Sequence, residues 1–172
     1  MVKIVLVGYM AVGKSTIGKL LAEIMQIPFL DLDEMIEKNE NLTISEIFSK
    51  HGEIYFRKKE HQEFKKWMES QDSLVIATGG GTPCYSNNHL LLNGPNVISI
   101  YLKASIEVLG ERLFLNAQSR PLVSEKSKEE LQEFIAKNLF DRSYFYHQAT
   151  YTVSVDKKTP EAVADEILQK LN

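Results

Sequence analysis

The chain has 172 residues, 44% hydrophobic and 25% charged, which fits one globular domain with a real core. Its net charge of −3 and isoelectric point near 5.8 argue against a broad nucleic-acid or membrane-binding surface. Cys84 is the only cysteine, which excludes an internal disulfide and a cysteine metal cluster. With no apolar run of membrane-spanning length and no leader-like start, the expectation is a reducing, cytoplasmic setting.

In chain order, an apolar run predicts a first strand over Ile4–Val7. It feeds Gly8-Tyr9-Met10-Ala11-Val12-Gly13-Lys14-Ser15-Thr16, which fits the phosphate-loop pattern G-x-x-x-x-G-K-[ST]. Ile17, Leu20, Leu21, Ile24 and Met25 then recur at helical spacing, predicting a helix over Lys14–Met25. Gly8 and Gly13 let the main chain approach an anion, and the loop N–H groups from Ala11 and Val12 to Thr16 can face phosphates. Lys14 supplies a mobile positive charge and Ser15 a hydroxyl for Mg²⁺. The plainer alternative is a glycine turn before an ordinary helix.

A second strand, Pro28–Asp31, ends at Asp31-Leu32-Asp33. Carboxylates at a strand end beside a phosphate loop can help hold Mg²⁺ or orient an acceptor hydroxyl; a helix N-cap or a solvated turn is the alternative. Helices are predicted over Ile44–Lys50, where Thr43 and Glu46 make a capping box, and over Glu53–Ser70. The second of these carries Arg57 with Glu60 three positions on, close enough to pair. Phe48 and Phe56 could wall an apolar ring pocket or serve as plain core.

The third strand, Leu74–Thr78, runs into Gly79-Gly80-Gly81, whose bare backbone can approach a ligand or simply turn. A helical stretch at Asn87–Asn93, a strand at Val97–Leu102 and a helix at Ile106–Leu115 follow. The polar stretch Ala117–Lys126, with Arg120-Pro121, reads as a lid or a connection. A long helix over Lys128–Tyr146 carries Arg142, a strand is predicted over Tyr151–Val155, and Thr159 caps a last helix, Pro160–Leu171. The four histidines show no metal-ligand spacing. Strands alternating with helices predict an α/β fold whose parallel sheet is covered on both faces.

In this order and spacing the segments Gly8–Thr16, Phe29–Asp33, Gly52–Arg57 with Glu60, Gly79–Gly81, Arg120-Pro121-Leu122 and Arg142 resemble the shikimate kinases, small phosphate-loop kinases related to the nucleoside monophosphate kinases. The resemblance covers nearly the whole chain. It implies a three-layer α/β/α kinase fold with a five-stranded parallel sheet, one domain over 1–172, a substrate-binding region at about 32–61 and a mobile lid at about 112–127. It implies ATP as co-substrate, Mg²⁺ as cofactor, a monomer, and no nucleic-acid or membrane partner.

Carried over by position, Asp33 binds the ring hydroxyls, while Arg57, Arg142 and the Gly79–Gly81 backbone grip the substrate, with Phe48 and Phe56 beside it. Glu60 orients Arg57, Ser15 and Asp31 support Mg²⁺, Lys14 and the lid's Arg120 stabilise the transferring phosphoryl group, and Arg112 lies near the adenine. The chain departs from the family at several points. Ala11 stands where another glycine is common, and Pro83 follows the glycine run at one remove. Tyr144 replaces a frequent proline. Lys157-Lys158 stand where an arginine often meets adenine, so Lys157, or its neighbour Lys158, is the substitute contact. The competing readings are a phosphate-loop kinase for gluconate or a nucleotide, and a non-catalytic nucleotide-binding module. The absence of an N-K-x-D segment speaks against a GTPase switch.

Overall fold

The computed structural model describes residues 1–116 and 126–171. Five parallel strands, β1 (Lys3–Val7), β2 (Phe29–Asp31), β3 (Leu74–Ala77), β4 (Val97–Lys103) and β5 (Tyr151–Ser154), stand in the order β2-β3-β1-β4-β5. The register puts Leu6 opposite both Ala77 and Ile100, so β1 is central and its continuation emerges between β3 and β4.

Strand alternation sorts the core into two layers. Ile4 and Leu6 of β1, Val75 of β3 and Ile100 and Leu102 of β4 face one side. There they meet Ile17 and Leu21 of α1 (Lys14–Met25), Leu109 and Leu113 of α4 (Ile106–Leu115), Leu131 and Ile135 of α5 (Lys128–Tyr146) and Val163 and Ile167 of α6 (Pro160–Leu171). Val5, Val7, Leu74, Ile76 and Tyr101 face the other side. They pack on Leu32 and Ile36 of α2 (Leu32–Glu40), on Ile47, Phe56 and Phe64 of α3 (Ile44–Glu69), and on Tyr146 at the end of α5. The result is the three-layer α/β/α arrangement with a five-stranded parallel sheet.

The local signals behave as their chemistry requires. Thr43 accepts from the Glu46 N–H at 3.2 Å and Glu46 accepts from the Thr43 N–H at 2.8 Å, completing the capping box. Thr159 accepts from the Ala162 N–H at 3.2 Å and starts α6. The stretches Ile44–Lys50 and Glu53–Ser70 join as α3 across a break at Gly52, where φ is 83° and ψ 172°. The stretch Asn87–Asn93 forms a tighter 3₁₀ coil, Asn88–Asn93. No helix among the described residues is long and apolar enough to cross a membrane. Arg120-Pro121-Leu122, the heart of the expected lid, lies outside the described residues.

Candidate active site

The carboxyl ends of β1, β2 and β3 deliver the phosphate loop, Asp31 and Gly79 to one edge of the sheet, the edge where α/β folds bind ligands. They enclose a cavity of about 460 Å³ lined by Ala11, Gly13 to Thr16, Asp31, Asp33, Thr78 to Gly80, Arg112 and others.

The loop's backbone explains its glycines. Gly8 has φ 148°, and a Cβ built there would lie 2.6 Å from the Leu102 carbonyl oxygen. Gly13 has φ 107° and leads α1 with no side-chain cap, so the helix's first turn keeps its N–H groups for an anion. Ala11 also takes a left-handed conformation, φ 65°, which explains why glycine suits this position and makes the alanine a strained choice. Lys14 Nζ donates to the Gly8 and Tyr9 carbonyls at 2.7 and 3.0 Å. Arg112 of α4 clamps the outer turn, its Nη1 donating to the Ala11 and Val12 carbonyls at 3.2 and 3.0 Å.

Arg112 also borders a second, more apolar cavity of about 230 Å³, with Val12, Thr16, Val155, Pro160 and Lys158. Of the two lysines expected near the adenine, only Lys158 lines this cavity. Lys157 is exposed, sits in a left-handed turn at φ 57° and does not line either cavity. The turn closed by the Lys158 N–H on the Val155 carbonyl brings Lys158 there instead, paired with Glu166.

Asp31 does two jobs at once. Its Oδ1 accepts from the Asp33 and Glu34 N–H groups, capping α2, while its Oδ2 accepts from the Ser15 hydroxyl at 2.5 Å. The helix-cap and ligand readings of this residue are therefore compatible. A hydroxyl and a carboxylate oxygen open on the cavity are the hard donors Mg²⁺ prefers. Among the described residues no three histidine, cysteine or acidic side chains cluster as a metal cage. A Mg²⁺ here would draw on water and nucleotide phosphates for its remaining ligands, its usual habit in kinases.

Asp33 is the most perturbed carboxyl in the site. Burial, then the nearby Glu60 and Asp31 charges, raise its pKa to about 6, against the opposing pull of Lys14. Gly79 makes this crowding possible: a Cβ there would stand 3.0 Å from Asp33 Oδ1, 3.1 Å from Thr82 Oγ1 and 3.2 Å from Glu60 Oε2. Glu60 is almost fully buried, and Arg57 Nη1 and Thr82 Oγ1 both donate to it at 2.8 Å. Asn88, itself buried, donates from Nδ2 to the Thr82 carbonyl at 2.9 Å and meets His61 Nδ1 at 2.6 Å.

The two candidate arginines flank the glycine run. Arg57 lies 2.8 Å from where a Cβ on Gly81 would be, stacked on Tyr85 at 3.9 Å and held by Glu60. Arg142 Nη1 lies 3.5 Å from the corresponding point on Gly80, and no carboxylate among the described residues pairs with it. Phe48 and Phe56 contact one another at 4.8 Å, with Phe56 buried, and neither lines the main cavity. The Arg57 guanidinium lies against Phe56, 5.1 Å from the ring centroid, and Arg57 and Arg142 likewise fall outside the lining of that cavity. Tyr144 is exposed and packs on Phe145 and His89.

Thr82, Asn88 and Tyr146 went unnoticed in the sequence. Thr82 follows the third glycine and Tyr146 stands one helical turn past Arg142, spacings that could have flagged both. Asn88 carries no such signal.

Comparison with known proteins agrees with this geometry. A family model described as shikimate kinase matches residues 10–172. A shikimate kinase of Flavobacterium johnsoniae is 54% identical over 99% of both chains, and that of Flavobacterium psychrophilum is 50% identical over 97% of both. Among solved structures, shikimate kinase from Bacteroides thetaiotaomicron superposes with a TM-score of 0.90 at 35% identity, covering 99% of this chain and 98% of that one. Shikimate kinase from Acinetobacter baumannii, solved in complex with shikimate, gives a TM-score of 0.88 at 32% identity over 99% and 93%. The chain belongs to the shikimate kinase family of ATP-dependent kinases.

Proposed function

We propose that this chain transfers the γ-phosphoryl group of ATP to the 3-hydroxyl of shikimate, giving ADP and shikimate 3-phosphate, a step toward chorismate and the aromatic amino acids. The observation that carries the reading is the pair of guanidiniums set against Gly80 and Gly81, where the glycine run meets the cavity that Asp33 shares with the phosphate loop. Two arginines suit a small carboxylate, and Arg142, which has no carboxylate partner among the described residues, leaves a positive charge for it to neutralise.

In this scheme Arg57 and Arg142 hold the carboxylate, and the Gly79–Gly81 backbone fits against the ring. Asp33 binds the ring hydroxyls and aims the reacting one at the γ-phosphorus. As the new O–P bond forms and the bond to the β,γ-bridging oxygen breaks, the hydroxyl proton passes to Asp33. A pKa near 6 leaves that carboxyl ionised at neutral pH yet more basic than an ordinary aspartate. Lys14 and the first turn of α1 face the phosphoryl oxygens, and Arg120, from the lid segment, adds a second cation. Ser15 and Asp31 would hold Mg²⁺, which when bound neutralises charge on the β- and γ-phosphates. Val12, Arg112 and Lys158 border the place for the adenosine. The resemblance to the shikimate kinases implies a monomer, and the lone cysteine suits a cytoplasmic enzyme.

The test is ADP release by the purified protein with MgATP, with and without shikimate, with gluconate and nucleoside monophosphates as controls. A rate that rises only with shikimate is expected. Replacing Arg57 by Ala should then weaken shikimate binding by about 2–5 kcal/mol and spare ATP. A rate indifferent to shikimate overturns the reading.

A further inference from the structure

Tyr146 lies one turn beyond Arg142 at the end of α5, wholly buried. Its ring stacks on Tyr101 of β4, with centroids 5.1 Å apart and planes 29° from parallel. Its hydroxyl donates to the Gly80 carbonyl at 2.5 Å. The Arg142 guanidinium lies at the same peptide, its Nη1 3.5 Å from where a Cβ on Gly80 would be, and its charge acts on the phenol. Burial pushes the phenol's pKa far above its usual range, so the group keeps its proton and remains a donor to Gly80.

The consequence follows from the planarity of the peptide bond. The Gly80 carbonyl and the Gly81 N–H share one rigid plane and point in opposite directions. Fixing the carbonyl therefore fixes the N–H. A peptide between two glycines has no side chain to resist a flip, so without an external tie its direction would be weakly defined. Tyr146 supplies that tie, and because Arg142, one turn earlier on the same helix, approaches the same Gly80, the tie sets the peptide and the guanidinium in one frame. Thr82, on the far side of the turn, anchors Glu60 and through it Arg57.

We infer that Tyr146 is a positioning residue for the acceptor: its phenolic hydroxyl holds the Gly80 carbonyl, and so the glycine peptide, in place beside the Arg142 guanidinium for the substrate's carboxylate end. The inference rests on the reading of Arg142 and the glycine turn as acceptor-binding groups.

The experiment compares wild type, Tyr146→Phe and Tyr101→Phe for shikimate KM, ATP KM, kcat and melting temperature, with shikimate affinity measured by calorimetry without nucleotide. Tyr146→Phe keeps the ring and its stacking and removes only the tie. Its shikimate KM and Kd should rise about tenfold, equivalent to about 1.4 kcal/mol, with kcat and ATP KM within about twofold of wild type. Tyr101→Phe should leave shikimate KM unchanged. An unchanged shikimate KM in Tyr146→Phe, or a joint rise of both KM values in step with a lowered melting temperature, overturns the inference. A wild-type chain that ignores shikimate overturns the acceptor reading and the inference together, which separates the two failures.

Discussion

Replacing Asp33 by Asn should make the ligand-free protein more stable while removing its activity. Burial and the Glu60 and Asp31 charges raise this carboxyl from 3.8 to about 6, so the folded state binds its proton more tightly than the unfolded chain does. The contribution favours folding below the unfolded value and is lost as pH rises through the folded one. At pH 8 both states are ionised, and a separation of about 2.2 pKa units costs the fold about 3 kcal/mol. At pH 5 the folded carboxyl is mostly protonated and the cost falls to about 1.6 kcal/mol. Asn keeps the shape without the charge. For a chain of this size the variant should melt about 6–12 °C above wild type at pH 8 and by roughly half that margin at pH 5. Thermal melts of both proteins without nucleotide, at the two pH values, measure this directly. Equal melting temperatures at pH 8, or a gain that does not shrink at pH 5, would refute the electrostatic account of Asp33.

Two other outcomes follow from the same neighbourhood. Thr82→Val removes a hydroxyl that donates to the buried Glu60 carboxylate, so urea unfolding should show a loss of about 1–3 kcal/mol; an unshifted midpoint would mean the bond adds nothing. Burial pushes the Cys84 thiol up to about 11 despite the nearby Arg142 and Arg57, so at pH 8 its alkylation by iodoacetamide should run about a hundredfold slower than that of free cysteine. Mass spectrometry of timed samples reads this rate, and labelling as fast as the free amino acid would count against it.

The elements readable in the sequence were those whose determinants lie close together along the chain. Strand β1, the phosphate loop and α1 form one continuous signal, and the capping residues Thr43 and Thr159 act within one helical turn. Arg57 and Glu60 were legible for the same reason, since i,i+3 spacing on a helix brings them to 2.8 Å. Long-range coincidences were not legible. Nothing local to Asn88 announces that it reaches Thr82 and His61, and nothing near Tyr146 says its hydroxyl ends on Gly80, 66 residues away in sequence. Lys157 and Lys158 could not be told apart because two adjacent lysines in a turn differ only in backbone direction, which composition does not encode. The left-handed conformation of Ala11 was hidden too, since alanine carries none of the usual glycine signal.

Glu60 has a consequence for the order of events on the enzyme. One of its oxygens meets Arg57 and the other lies beside Asp33, so a single buried charge is divided between the two ends of the acceptor site. A carboxylate arriving at Arg57 competes for that guanidinium. Glu60 is then less well neutralised, and its field at Asp33 grows. The substrate would thereby sharpen the proton acceptor meant for its own hydroxyl, making basicity a property of the loaded site rather than the empty one. A carboxylate analogue lacking the reactive hydroxyl should move the Asp33 titration upward when followed by NMR, and a titration that stays in place would show that the two ends do not communicate.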